Sequence, residues 1–110
     1  MGYDVSFIAK LEGAEQYVSV GDGWINHTSN TAAMIKEVCG SYPSMWNGKK
    51  CSEMIPMLES GISELEEHSE DYRQYEPGSG WGTVESTISF LDNILKNCKL
   101  FPTAIIEVDA

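Results

Sequence analysis

From Tyr3 to Leu11 apolar and polar residues alternate, with Tyr3, Val5, Phe7, Ala9 and Leu11 on one side and Asp4, Ser6 and Lys10 on the other. Side chains of an extended chain point alternately to its two faces, so this pattern predicts a half-buried strand. Glu12, Gly13 and Ala14 supply a turn, and Gln16–Val20 resumes the extended pattern until Gly21, Asp22 and Gly23 are expected to stop it. The pair predicts a β-hairpin. Five polar residues follow, Asn26–Asn30 (NHTSN), and short side-chain oxygens of this kind accept from the free N–H groups of a first helical turn. A helix is therefore expected to start here, with Met34, Ile35 and Val38 on one face and Gly40 ending it. Ser41–Lys50 is a loop punctuated by Pro43 and by Asn47 and Gly48.

The clearest periodicity comes next. Cys51, Met54, Ile55, Leu58, Ile62 and Leu65 recur at the three- and four-residue spacing of one helical stripe. Pro56 lies close to the expected start near Ser52, and Gly61 is a weak spot inside the helix. A third helix follows Pro77–Gly82, with Val84, Ile88, Leu91, Leu95 and Cys98 on its apolar stripe. Lys96 and Lys99 complement the negative pole of its dipole and Pro102 marks the stop. Ala104–Val108 then has strand propensity. Apolar faces of a sheet and of amphipathic helices cover one another most simply as two layers. The expected fold is α+β, in the order β-β-α-α-α-β: a small antiparallel or mixed sheet, made of the N-terminal hairpin and the C-terminal strand, under about three helices. Which strand the last one joins is open. Residues 1–110 read as a single domain without repeats or a linker.

Composition narrows the function classes. Hydrophobic residues make up 42% of the 110 and charged residues 22%, the balance of a soluble globular domain. Seventeen acids against seven bases give a net charge of -10, the wrong sign for gripping a phosphate backbone or an anionic membrane. Direct nucleic-acid binding is disfavoured. The N-terminal residues lack a basic and apolar signal, and the expected compartment is the cytoplasm. Cys39, Cys51 and Cys98 are odd in number and in no CxxC spacing, so they read as reduced thiols rather than as disulfides or metal ligands. Met1, Gly2 and Ser6 match a myristoylation signal and Asn26, His27, Thr28 a glycosylation sequon; both read as chance matches to short patterns.

Charge is the most unusual local feature. Glu59, Glu64, Glu66, Glu67, Glu70, Asp71 and Glu76 share one span with a single base, Arg73. Such a span either docks on a basic partner, imitating a phosphate backbone, or is a solvated face that keeps a small protein soluble. A second candidate is the loop before the third helix. Gly78, Gly80 and Gly82 permit close backbone approach, Ser79 and Thr83 offer hydroxyls, and Trp81 offers a stacking plane, beside a helix N-terminus that attracts anions. Asn26 and His27 are candidates to face that loop across a small ligand. The plain alternative is a structured loop in which Trp81 staples the core. Neither a P-loop lysine nor a GxGxxG follows a strand. His68, in EEHSED, has Glu67 and Asp71 nearby but no second cluster to complete a metal site, and neither histidine belongs to a catalytic triad. No cofactor and no catalytic residue are expected.

Trp24–Ser29, Gly48–Gly61 with Pro56, Leu58 and Gly61, Tyr72–Thr83 and Ile105–Val108 together form a pattern over most of the chain, most specifically at Gly80, Trp81 and Gly82. It resembles a family of small acidic proteins of bacteriophages and prophages. The resemblance implies a setting, the infected bacterial cytoplasm, and no mechanism. The expected function is that of a non-enzymatic accessory protein that binds a basic host or phage protein through the acidic span. Its alternative is a small-molecule or nucleotide-type binder using Gly78–Thr83. An open edge strand leaves a homodimer as a further expectation.

Overall fold

A computed structural model describes residues 2–13 and 15–109. The turn expected at Glu12–Ala14 and the myristoylation match at Met1 thus fall partly outside the described residues. Three strands, β1 (Gly2–Lys10), β2 (Tyr17–Thr28) and β3 (Ile105–Asp109), form one sheet in the order β2-β1-β3. Both pairings are antiparallel, which resolves the partner of the last strand as β1. Helices α1 (Ala32–Cys39), α2 (Cys51–Glu67), the single turn α3 (Ser69–Tyr72) and α4 (Val84–Leu100) complete the α+β order.

The core follows from the two periodicities. Tyr3, Val5 and Phe7 alternate on the buried side of β1; Ile25 and Val20 of β2 stand opposite Val5 and Phe7, and Val108 and Ile106 of β3 stand opposite the same pair. Cys51, Met54, Leu58, Ile62 and Leu65 bury the stripe of α2 as expected. Gly61, the expected weak spot, is buried because a side chain there would strike the Cys39 Sγ at 2.7 Å, so α1 and α2 approach closely at that point. The buried sector of α4 is wider than the expected stripe, adding Thr87, Phe90, Ile94 and Asn97, because α4 packs against both α2 and β2.

Two expectations need correction, the second in part. The second strand does not stop at Gly21–Gly23: it runs on to Thr28, and the glycines form a bulge. The register passes from Phe7↔Val20 to Val5↔Ile25, so residues 21–24 are accommodated opposite Ser6 alone. Gly21 and Gly23 have φ of 80° and 77°, which bends the strand and lets pairing resume. Within Asn26–Asn30 a helical turn does start, but it is a single 3-10 turn from Ser29 and not α1. Asn26, His27 and Thr28 finish the strand, Thr28 accepts from the Asn30 N–H to cap a turn at Ser29–Thr31, and α1 follows. Pro56 lies close to the start of α2 as expected, in its second turn, where its missing N–H removes the bond to Ser52, and the helix continues through it.

Candidate functional site

The acidic span is divided by the fold into carboxylates with internal duties and carboxylates left to solvent. Glu64 accepts from the Tyr72 hydroxyl at 3.0 Å. Glu76 accepts from the Val84 N–H at 2.8 Å and from Arg73 Nη1 at 2.9 Å. Arg73 also holds Glu85 of α4 with two bonds, of 2.8 and 2.6 Å, and that pairing keeps the Glu85 carboxyl below its usual range. Glu59 pairs with Lys99 at 3.2 Å, tying α2 to α4. What remains is a corner where α2 ends at His68 and α3 begins. There Glu66, Glu67, Glu70 and Asp71 are exposed, and residues 67–71 line a hollow of about 240 Å³. Two basic side chains adjoin them among the described residues: His68, with Nδ1 3.8 Å from Asp71, and Arg73, with Nε 3.5 Å from Glu70 while its other nitrogens serve Glu76 and Glu85. Burial first, and then the Glu64 bond and the charges of Glu37 and Asp71, raise the Tyr72 phenol above its ordinary value. Glu37 of α1 thus acts on Tyr72 through its charge. Sequence spacing carried no signal of this, since Glu37 lies far from the span along the chain.

The loop at Gly78–Thr83 meets the end of β2 and the segment that follows it through Thr28, Asn30 and Thr31, whereas the side-chain contacts of His27 go to Thr31, Thr87 and Phe90. Asn30 Nδ2 donates to the Trp81 carbonyl at 3.3 Å, and a side chain on Gly82 (φ 111°) would strike Thr31 Cγ2 at 2.7 Å. The close approach that Gly82 permits is therefore to the protein's own threonines. Asn26 does not join: adjacent strand residues point to opposite faces, and Asn26 Nδ2 donates to Asp4 across the sheet at 2.9 Å. Trp81 does not staple the core either; its side chain is 73% exposed.

The N-terminus of α4 is occupied by the protein itself. Thr83 Oγ1 accepts from the Ser86 N–H at 3.0 Å, and Ser86 Oγ accepts from the Thr83 N–H at 2.8 Å, a reciprocal capping pair. The Glu76 carboxylate sits on the Val84 N–H, in the place where an external anion would bind a helix terminus. Ser79 accepts from the Trp81 N–H at 3.4 Å, within the loop.

His27 packs inward. Its ring stacks on Phe90 at 4.7 Å, and Nε2 lies 2.7 Å from Thr31 Oγ1 and 3.4 Å from Thr87 Oγ1. Burial lowers its pKa, because the charged imidazolium loses hydration there. Between the lowered folded value and the unfolded value near 6.5 the unfolded chain binds the extra proton, so this contribution to stability is complete above that window and lost as pH falls through it. Denaturant titrations at pH 7 and at pH 5 are expected to show a steeper loss for wild type than for His27→Gln. Equal slopes would remove His27 as the cause.

The thiols of Cys51 and Cys98 are buried side by side; their contact lowers the pKa of Cys51 and raises that of Cys98, while burial pushes Cys39 up to about 12. No helix of the described residues is long and apolar enough to cross a membrane. No family model, no curated protein and no solved structure matches the chain.

Proposed function

We propose that the protein acts by binding, without catalysis, and that the acidic corner at the junction of α2 and α3 is the surface that meets a basic protein partner. The observation that carries this reading is the division of labour among the carboxylates. Glu64 and Glu76 are engaged within the fold and the exposed Glu59 pairs with Lys99, whereas Glu66, Glu67, Glu70 and Asp71 are exposed together on one corner of a chain with net charge -10, Glu70 and Asp71 keeping only the longer contacts to Arg73 and His68. Such a concentration of one sign raises the local density of a basic partner and speeds its encounter. The phage-type sequence pattern supports a setting in the bacterial cytoplasm, where an acidic protein of this size acts as an inhibitor or nucleic-acid mimic against a host system.

The test separates position from net charge. Two variants remove four negative charges each: Glu66→Gln, Glu67→Gln, Glu70→Gln, Asp71→Asn at the corner, and Glu12→Gln, Glu15→Gln, Asp92→Asn, Glu107→Gln at exposed positions elsewhere. Proteins captured from bacterial lysate by wild type are expected to be retained by the second variant and weakened roughly tenfold or more by the first. Their capture by wild type should also fall as salt shortens the range of the field. Equal capture by both variants would discard the corner as the binding surface.

A further inference from the structure

We propose that Asn47 is a modification site of this chain: it deamidates to aspartyl and isoaspartyl forms, a reaction that the covered outer edge of β3 holds back and that, once it has happened, keeps this edge from closing. Of the five asparagines, at positions 26, 30, 47, 93 and 97, Asn47 is the one followed by glycine. Asparagine is thermally labile because the main-chain nitrogen of the next residue can attack its side-chain carbonyl carbon, and a glycine nitrogen has no side chain beside it to hinder the approach. A bond forms between Gly48 N and Asn47 Cγ, the Cγ–Nδ2 bond breaks, and Nδ2 leaves as ammonia with the Gly48 proton. Water then opens the succinimide ring on either side. Cleavage at Cγ leaves an ordinary aspartate. Cleavage at the main-chain carbonyl leaves an isoaspartyl link, which carries the main chain through Cβ and Cγ and lengthens it by one atom.

Water reaches Asn47, which is exposed, but the fold opposes each part of the attack. Ring closure needs Gly48 N on the same side as the Asn47 Cβ, and the Asn47 ψ of 127° turns it well away. Gly48 N–H donates to the Ile106 carbonyl at 2.9 Å, so the nitrogen cannot give up its proton without losing that bond. Asn47 Oδ1 accepts from the Val108 N–H at 2.9 Å, which pins the carboxamide on β3. That bond also draws electrons from Cγ, so orientation and not polarity is what protects the site. Gly48 has φ 86°, a conformation that side-chain-bearing residues rarely adopt, and the cover of β3 thus requires the very glycine that makes its neighbour labile. The same bonds, with Ile106 N–H donating to the Lys49 carbonyl at 2.9 Å, are what close the outer edge of β3. An aspartate at position 47 keeps an oxygen for the Val108 N–H. An isoaspartyl link does not keep the register, because the extra main-chain atom displaces the Gly48 N–H and the Lys49 carbonyl relative to Ile106. A transient local opening of this edge therefore admits an irreversible change.

The test incubates the whole chain in mildly alkaline buffer, folded and in urea, and follows each asparagine by peptide mass spectrometry. Conversion at Asn47 is expected to be roughly tenfold or more faster in urea than in the folded chain, and in urea to outpace the other four asparagines. The variant Val108→Pro removes the N–H that holds Asn47 Oδ1. That N–H points to the outer edge, away from the pairing with β1, where proline is tolerated. With its fold checked by circular dichroism, this variant is expected to convert severalfold faster at Asn47 than the folded wild type and at an unchanged rate at Asn93. Hydrogen exchange on the separated products reads the consequence: the amides of Ile106 and Val108 should exchange faster in the isoaspartyl form, and at the wild-type rate in Asn47→Asp. Equal conversion of Asn47 in the folded chain and in urea, a folded Val108→Pro that converts no faster than wild type, or an isoaspartyl form with wild-type exchange at Ile106 would each overturn the proposal. The first and third readings use no substitution, so they decide the matter even where the proline variant does not fold.

Discussion

Replacing Trp46 by alanine is expected to destabilise the protein by about 3–5 kcal/mol, whereas Trp24→Ala and Trp81→Ala should each stay within about 0.5 kcal/mol. All three tryptophans sit beside glycine or asparagine in sequence, and nothing in that context ranks them. The fold does. Trp46 closes a short 3-10 turn, Pro43–Trp46, that carries its ring into the core with no exposed surface, where its indole N–H donates to Ser41 Oγ at 2.9 Å. Truncation removes a large apolar group, leaves a cavity beside β3 and α1, and takes from Ser41 Oγ the N–H it accepts from, leaving its own donation to Met57 Sδ. Trp24 and Trp81 are 62% and 73% exposed and lose little contact on truncation. Urea unfolding followed by far-ultraviolet circular dichroism measures all three variants without relying on the fluorophore removed. Since domains of this size are stable by only about 5–15 kcal/mol, Trp46→Phe serves as a milder companion that keeps most of the volume and loses the hydrogen bond. Three similar losses would contradict the assigned burial.

Asn97→Asp is expected to cost about 2–4 kcal/mol at neutral pH, although it exchanges a single amide for a carboxylate of the same shape. Asn97 is fully buried on α4 and makes three bonds: Oδ1 accepts from the Asp22 N–H at 3.1 Å, and Nδ2 donates to Asp22 Oδ2 at 3.0 Å and to the Asn93 carbonyl at 2.8 Å. It is the clamp that holds the β2 bulge on the helix layer, and a side chain on Gly21 would collide with its Oδ1. A carboxylate at this place keeps the acceptor but loses both donations and faces the Asp22 carboxylate. Burial and that like charge both favour the protonated form of the new group. Its folded pKa then lies above the unfolded one, so the cost is smallest in acid and grows as pH rises through the carboxylate range. Asp22→Asn restores a donor and should recover about 1 kcal/mol or more in the Asn97→Asp background while giving little in wild type, a coupling that a double-mutant cycle with chemical denaturation reads directly. Independent, additive effects would dismiss the clamp.

The stripes of α2 and α4 and the alternation of β1 were legible because each repeats a local geometric period several times over. The bulge was not. Gly21-Asp22-Gly23 carries the composition of a strand terminator, and only the pairing partners on β1, which resume at Val5, turn it into an interruption. The wider buried sector of α4 was missed for a related reason: a one-neighbour helix buries a narrow stripe, and α4 has two neighbours. That is how Asn97, a polar residue off the expected stripe, came to be fully buried. At the candidate sites the acidic span was visible as composition, but the separation of Glu64 and Glu76 from Glu66, Glu67, Glu70 and Asp71 depends on where Tyr72, Arg73 and the start of α4 fall in space.

By itself, then, the sequence determined the class of fold, the order of its main elements, the apolar faces of the two long helices and the excess of negative charge, since each is a property of residues near one another along the chain. The tertiary structure alone decided which tryptophan is core, which carboxylates serve internal bonds and which face solvent, that Glu76 fills the anion position of α4, and that β3 rather than β2 has its outer edge covered by the segment before α2. Each of these depends on contacts between segments distant in sequence, and a local pattern specifies that a face will be covered without specifying what covers it.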